Sequence, residues 1–207
     1  MGAAERDEFL RVAWRVMVAA RTQASRFVFV DGCSTNTSLA PLYPWSPKGQ
    51  RARCKVPRNY GPNVTLFASM THEGIGPCLV VEGATTREVF ETYIEQMLRP
   101  ALRPGQIVAM DNLSSHKRES VGELIERRGC ELLYLPPYSP DLNPIEGAFS
   151  KVKGLLREAE ARTREALVET LGGALPAVSA RDAWGYFEHC GYHVSDRPLF
   201  DVLLLRT

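Results

Sequence analysis

The chain has 207 residues, with 25 Lys and Arg against 24 Asp and Glu and a formal net charge of +1. Hydrophobic residues at 44% and charged residues at 24% are ordinary for one folded domain and exclude a disordered, collagen-like or fibrous chain. No uncharged apolar run reaches the ~18 residues of a membrane span, and five scattered cysteines without a C-x-x-C pair exclude a disulfide scaffold or zinc ribbon, so a reduced, cytoplasmic protein with no membrane partner is expected.

Phe9, Leu10, Val12, Ala13, Val16 and Met17 recur at helical spacing, so Phe9–Ala20 reads as a helix. Arg26–Val30 is a short β-rich run ending at Asp31, before a turn-like Gly-Cys-Ser-Thr-Asn stretch; it reads as a buried strand presenting Asp31 at its C-terminal end. Asn63–Thr71 and Pro77–Glu82 read as two strands joined by the turn at 72–76, hence antiparallel. Thr86–Leu102 follows as a helix capped by Thr85 or Thr86 and closed by Pro100 and Pro104. Then come a strand at 106–110 ending before Asp111, a helix at 117–128 stopped by Gly129, a strand at 131–135, and a long helix from Ile145 to Ala161. Arg164–Leu175 and Ala180–His189 form a helical tail. The order β-β-β-α-β-α-β-α predicts an α/β protein whose mixed five-stranded sheet is covered by helices on both faces, the order of the RNase H-like fold.

Charge is unevenly placed. No acidic residue lies between Asp31 and Glu73, while Lys48, Arg51, Arg53, Lys55 and Arg58 fall there with Tyr43, Trp45 and Tyr60. Phosphate responds to such a local field whatever the net charge. A solvated loop whose cations meet acids elsewhere explains the stretch equally well.

Three carboxylates stand where sites gather in sheets with crossover helices, at strand C-termini and the helix that follows: Asp31, Asp111 and Glu146. Oxygen-only ligands suit Mg²⁺ or Mn²⁺, and three carboxylates can hold two ions ~4 Å apart for an in-line phosphoryl transfer. Each acid also has an ordinary reading. Asp31 and Asp111 fit turns after strands. Asn143 as N-cap, Pro144 at N1 and Glu146 at N3 would form a capping box. Singly the structural readings suffice; together the three acids favour a metal site. Asp111, Ser114, Ser115 and His116 are too crowded for a hydrolase triad, and His189-Cys-Gly-Tyr-His193 has no second ligand pair and reads as a helix end. Lys151, Lys153 and Arg157 lie within three turns of Glu146, placed either to touch a DNA backbone or to face solvent.

Ile107-Val-Ala-Met-Asp-Asn-Leu-Ser-Ser-His116 followed by Leu133-Tyr-Leu-Pro-Pro-Tyr-Ser-Pro-Asp-Leu-Asn-Pro-Ile-Glu146 resembles the DDE superfamily, the catalytic domain of mariner-type bacterial insertion-sequence transposases. The 34 residues between Asp111 and Glu146 match that family's spacing. Phe27-Val-Phe-Val-Asp31, Trp45-x-x-Lys-Gly49, Ser150-x-x-Lys153 and the Phe187-x-His-Cys-Gly-Tyr192 ending resemble further family motifs, over about residues 26–192.

The resemblance implies that Asp31, Asp111 and Glu146 are the catalytic, metal-binding triad for two Mg²⁺ or Mn²⁺ ions, with Asn112, His116 and Asn143 in support. It implies cleavage and strand transfer of DNA, with a catalytically silent DNA-binding remnant as the alternative. The family carries Glu directly after its first Asp, where this chain has Gly32. About 25 residues precede the first catalytic strand, too few for a helix-turn-helix reader. The expected organisation is a linker helix at 1–25, the catalytic domain at 26–192 and a tail at 193–207. Element ends and target DNA, a separately encoded helix-turn-helix part and a homodimer are the partners compatible with that organisation.

Overall fold

A computed structural model describes residues 7–20, 24–39, 46–51, 63–83, 85–111 and 119–193. Asn112, His116, Arg53, Lys55 and Arg58 lie outside the described residues, as do the first two residues of the expected 117–128 helix.

The sheet has five strands in the order β3-β2-β1-β4-β5, formed by β1 (Phe27–Thr35), β2 (Val64–Thr71), β3 (Gly74–Glu82), β4 (Ile107–Met110) and β5 (Glu131–Tyr134). β1 pairs antiparallel with β2 and parallel with β4, and β4 pairs parallel with β5. The sheet is therefore mixed, as expected from hairpins early in the chain and helical crossovers later. Two strands are longer than the sequence suggests. β1 does not end at Asp31: its pairing with β4 stops at Val30↔Met110, while its pairing with β2 continues to Thr35↔Val64. The Gly-Cys-Ser-Thr stretch that reads as a turn is thus held extended by β2. β3 likewise begins at Gly74, and the β2–β3 turn shrinks to His72 and Glu73.

Strand side chains alternate between faces, and the two faces build two cores. Phe27, Phe29, Ile107 and Ala109 join Leu66, Ala68 and Met70 under α5 (Ile145–Glu158), α6 (Arg164–Ala174) and α7 (Ala180–His189). Val28, Val30, Val108 and Met110 face Phe90, Tyr93, Ile94, Val121 and Ile125. Those come from α2 (Arg87–Tyr93) with its continuation and from α4 (Glu119–Glu126). The Thr86 hydroxyl caps α2 by accepting from Val89 N–H. The chain then widens into a π-helical turn, Ile94–Leu98, before the short α3 (Arg99–Ala101). Pro100 supplies a reason: a proline ring clashes with the carbonyl four residues back, and a wider turn relieves it.

The N-terminal helix α1 (Glu8–Ala20) packs on the α5 side. Its buried face is not the apolar stripe read from the sequence. Arg11 and Trp14 are buried, whereas Phe9, Val12 and Val16 are 80%, 55% and 63% exposed. The reason is polar chemistry. Arg11 donates two hydrogen bonds to the Asp141 carboxylate, at 2.9 and 2.6 Å, and one to Ser139 Oγ at 2.7 Å. Trp14 Nε1 donates to the Tyr192 hydroxyl, which donates to Leu142 O. Among the described residues no helix is long and apolar enough to cross a membrane, and the four cysteines there are free.

Candidate active site

Strand parity assembles the site. Asp31 shares the face of Phe27 and Phe29, and Asp111 shares that of Ile107 and Ala109. The β1–β4 register ends at Val30↔Met110, so the next residue of each strand is an acid on the same face, beneath α5. Glu146 lies in the first turn of α5. Gly147 beside it lets α7 approach closely, because a Cβ there would stand 2.6 Å from the Tyr186 ring and force it to shift. Asp31, Asp111 and Glu146 line one cavity of about 320 Å³ with Asn143 and the segment Leu135–Pro140. That volume sits at the lower end of the ~300–1,000 Å³ typical of ligand clefts.

The acids differ in setting. Asp31 is 7% exposed, and its Oδ2 accepts from Asn143 Nδ2 at 2.8 Å. Asp111 is half-buried and Glu146 exposed. Cys33, two residues past Asp31 on the same face, reports their field. Its thiol is pushed up to about 11, chiefly by burial, with Lys153 opposing and Asp31 and Glu146 adding to the rise.

The capping box expected from Asn143 and Glu146 is not formed. Asn143 closes a short 3-10 turn (Pro140–Leu142) with φ −114° and ψ 95°, and the backbone N–H of Glu146 donates to Asn143 O at 3.1 Å. The side-chain amide turns instead to Asp31, and Oδ1 of Asn143, although buried, accepts no hydrogen bond from the described residues. The buried amide is thus engaged by a carboxylate of the cavity, and the cap is left to the backbone.

The donor set fits a hard divalent cation: carboxylate oxygens from three elements, with a buried amide oxygen still open to a donor. As they stand, no three His, Cys, Asp or Glu side chains among the described residues are gathered closely enough to hold an ion at once. Asp31 and Asp111 would hold the metal from the sheet side and Glu146 from α5.

The basic residues separate. Lys48 and Arg51 are exposed beside Gly49, whose φ of 87° makes a turn. Lys151 on α5 is engaged, its Nζ 2.7 Å from Asp182 Oδ2 on α7. Lys153 is half-buried near Cys33 and the acids. Sequence reasoning missed the struts under the cavity, Arg11, Trp14 and Tyr192, and the exposed Tyr138. The one available signal for Arg11 was its place three residues before Trp14, on one side of α1.

Residues 26–168 match the family described as DDE superfamily endonuclease, a span holding all three acids. This chain belongs to that superfamily. The DDE chain is 30% identical over 138 residues to the Tc1 transposase of Caenorhabditis elegans, covering 65% of this chain and 50% of that protein. It is 28% identical over 131 residues to the Tcb1 transposase of Caenorhabditis briggsae, covering 60% and 48%. It therefore spans about half the length of the curated relatives it matches. Among solved structures it resembles the Mos1 strand transfer complex, with a TM-score of 0.74 and 19% identity over 90% of this chain and 57% of that one. It also resembles the isolated catalytic domain of Mos1 mariner transposase, with a TM-score of 0.62 and 16% identity over 87% and 84%. The fold of the DDE chain is accordingly RNase H-like.

Proposed function

We propose that the chain is the catalytic part of a Tc1/mariner-type transposase, cutting DNA at element ends and joining the freed ends to target DNA with two Mg²⁺ or Mn²⁺ ions. The observation that carries this reading is the meeting of Asp31, Asp111 and Glu146, from three separate elements, on one cavity. Solved paired-end complexes of Mos1 with Mn and with Mg, which share the fold, support a divalent metal.

In the first step water attacks a phosphodiester in line, and the bond to the 3′ oxygen breaks to leave a 3′-hydroxyl. In the second step that hydroxyl attacks a phosphodiester of the target, and one target 3′ oxygen leaves. When bound, the metal supplies activation of the attacking oxygen and neutralisation of the leaving one. The protein's own part is positioning. Asn143 fixes the rotamer of Asp31, and the sheet register sets Asp111 beside it. Lys48, Arg51 and Lys153, with Arg53, Lys55 and Arg58 outside the described residues, are the candidates for phosphate contacts. Lys151, tied to Asp182, serves α5–α7 packing first. Asn112 directly after Asp111, and His116 five residues after it in the same motif, are assigned to supporting it. A separately encoded helix-turn-helix part would choose the element end, and a homodimer would bring two ends together, in a reducing cytoplasm.

The test is nicking of supercoiled plasmid, and strand transfer from oligonucleotides, by the purified chain with and without a supplied helix-turn-helix partner. Activity should require Mg²⁺ or Mn²⁺, vanish with EDTA and be absent from Asp31→Asn, Asp111→Asn and Glu146→Gln. Cleavage that survives chelation, or survives all three substitutions, overturns the reading.

A further inference from the structure

We propose that Tyr138 is a stacking platform for a nucleobase drawn out of its duplex beside the phosphodiester that the three acids address. This rests on the DNA reading above and assigns a substrate contact to a residue outside the acidic triad.

Three observations carry it. First, Tyr138 is 59% exposed, and of the large hydrophobic side chains left exposed among the described residues it is the one that lines the cavity. The others lie on α1, at Met97 and at Val168. An aromatic ring kept in water at the mouth of a site forgoes the burial that aromatic rings normally gain.

Second, its backbone has φ 52°, in the left-handed region, which among the described non-glycine residues only Glu160 shares. Gly or Asn would make this turn with less strain. A bulky residue held there is the kind of local strain that gathers at functional sites.

Third, the turn is stiff. Tyr138 stands between Pro137 and Ser139, with Pro136 and Pro140 beyond them. Ser139 Oγ donates to Pro137 O at 3.1 Å and accepts from the buried Arg11 at 2.7 Å. Arg11 also grips Asp141 with two hydrogen bonds. The loop is fixed from below while the ring stays open above, so little freedom is lost on binding.

The chemistry selects a base. The cavity, about 320 Å³, suits one phosphodiester with part of its nucleoside rather than a duplex. A base that enters the cavity beside that phosphate leaves its stack, as in enzymes that work on extruded nucleotides. An aromatic face replaces the lost stacking for any base, without sequence preference.

The experiment uses the full chain in EDTA, so that binding is read without cleavage. Oligonucleotides carry 2-aminopurine, whose fluorescence is quenched by stacking, in single-stranded, mismatched and fully paired forms. We expect wild type and Tyr138→Phe to quench the probe in the single-stranded and mismatched forms. Tyr138→Asn, which keeps the left-handed turn but lacks the ring, should quench none of them and bind single strands about tenfold more weakly, the scale of one base–aromatic stack. With Mg²⁺, Tyr138→Asn should raise KM for DNA and leave kcat close to wild type. Binding with quenching unchanged in Tyr138→Asn overturns the platform and leaves the DNA reading standing. Failure of the wild type to bind any of the oligonucleotides overturns both.

Discussion

The Asn143 amide fixes one oxygen of Asp31, so Asn143 and Glu146 answer to different tests. Glu146 is exposed and caps nothing, so Glu146→Gln should leave stability within about 0.5 kcal/mol of wild type, as for other surface substitutions. Cleavage should fall at least about 100-fold, the cost of losing one charge-stabilising group in an active site; thermal melting and plasmid nicking read the two effects separately. Asn143→Ala should do the reverse at first sight, costing about 1.5–3 kcal/mol because it removes a buried hydrogen bond to a charged group. It should also slow cleavage, because Asp31 loses its fixed rotamer. That the three acids meet on one cavity was legible from the motif, the end of β4 and the first turn of α5, although β1 runs on past Asp31. The use of Asn143 was not, because the same residue satisfies a capping pattern equally well and only tertiary geometry chooses. Gly32 is similar. Its Cβ would stand 2.8 Å from the Phe67 ring, so Gly32→Ala should destabilise by about 1–3 kcal/mol through overpacking, and Phe67→Leu in the same chain should restore part of the loss in a denaturant titration.

Among the elements, α1 shows how a helix can be docked by polar anchors with its apolar stripe left outside. Arg11 is 1% exposed and Asp141 46%, and that asymmetry sets the expected order of damage. Asp141→Asn leaves the buried guanidinium with only the exposed Glu8 carboxylate, 3.4 Å from Nε, as counter-charge and should cost up to about 3 kcal/mol. Arg11→Met leaves an acid that water can reach and should cost clearly less; urea melts of the two variants give the order. The α5–α7 contact makes a second prediction. Asp182 is held down to about 2 by hydrogen bonds from Lys151 and Ser179, below its ordinary value of 3.8. A depressed carboxyl stabilises the fold above its unfolded value, and that stabilisation fades as pH falls from about 4 toward 2. Lys151→Met should therefore lower stability at neutrality, where the ion pair contributes fully, by an amount that shrinks as pH falls toward 2, where wild type has lost the pair as well. Apolar periodicity predicted each strand and helix near its observed place. It could not show that Gly32–Thr35 stays extended, because that depends on β2, nor that the helix before Pro100 opens into a π turn.

At the scale of the molecule, one sheet with a core on each face places all three acids on the α5 side. The sequence order already implied the mixed sheet, since hairpins and crossovers leave few other arrangements; which face carried the site needed the register. If a divalent ion binds there, it binds the folded chain in preference to the unfolded one. Mg²⁺ at about 100 times its Kd should then add about 2.7 kcal/mol, read as a rise in melting temperature that is smaller in Asp31→Asn and Asp111→Asn. The Gly32–Phe67 pairing reaches further, into how such chains diverge. Gly32 and Phe67 face each other across β1 and β2, and the ring occupies the space a side chain at 32 would need. The two positions are therefore packed as one unit. A relative with an acid after its first Asp is expected to carry a smaller or displaced residue opposite it, and an alignment of such sequences should show the two columns changing together.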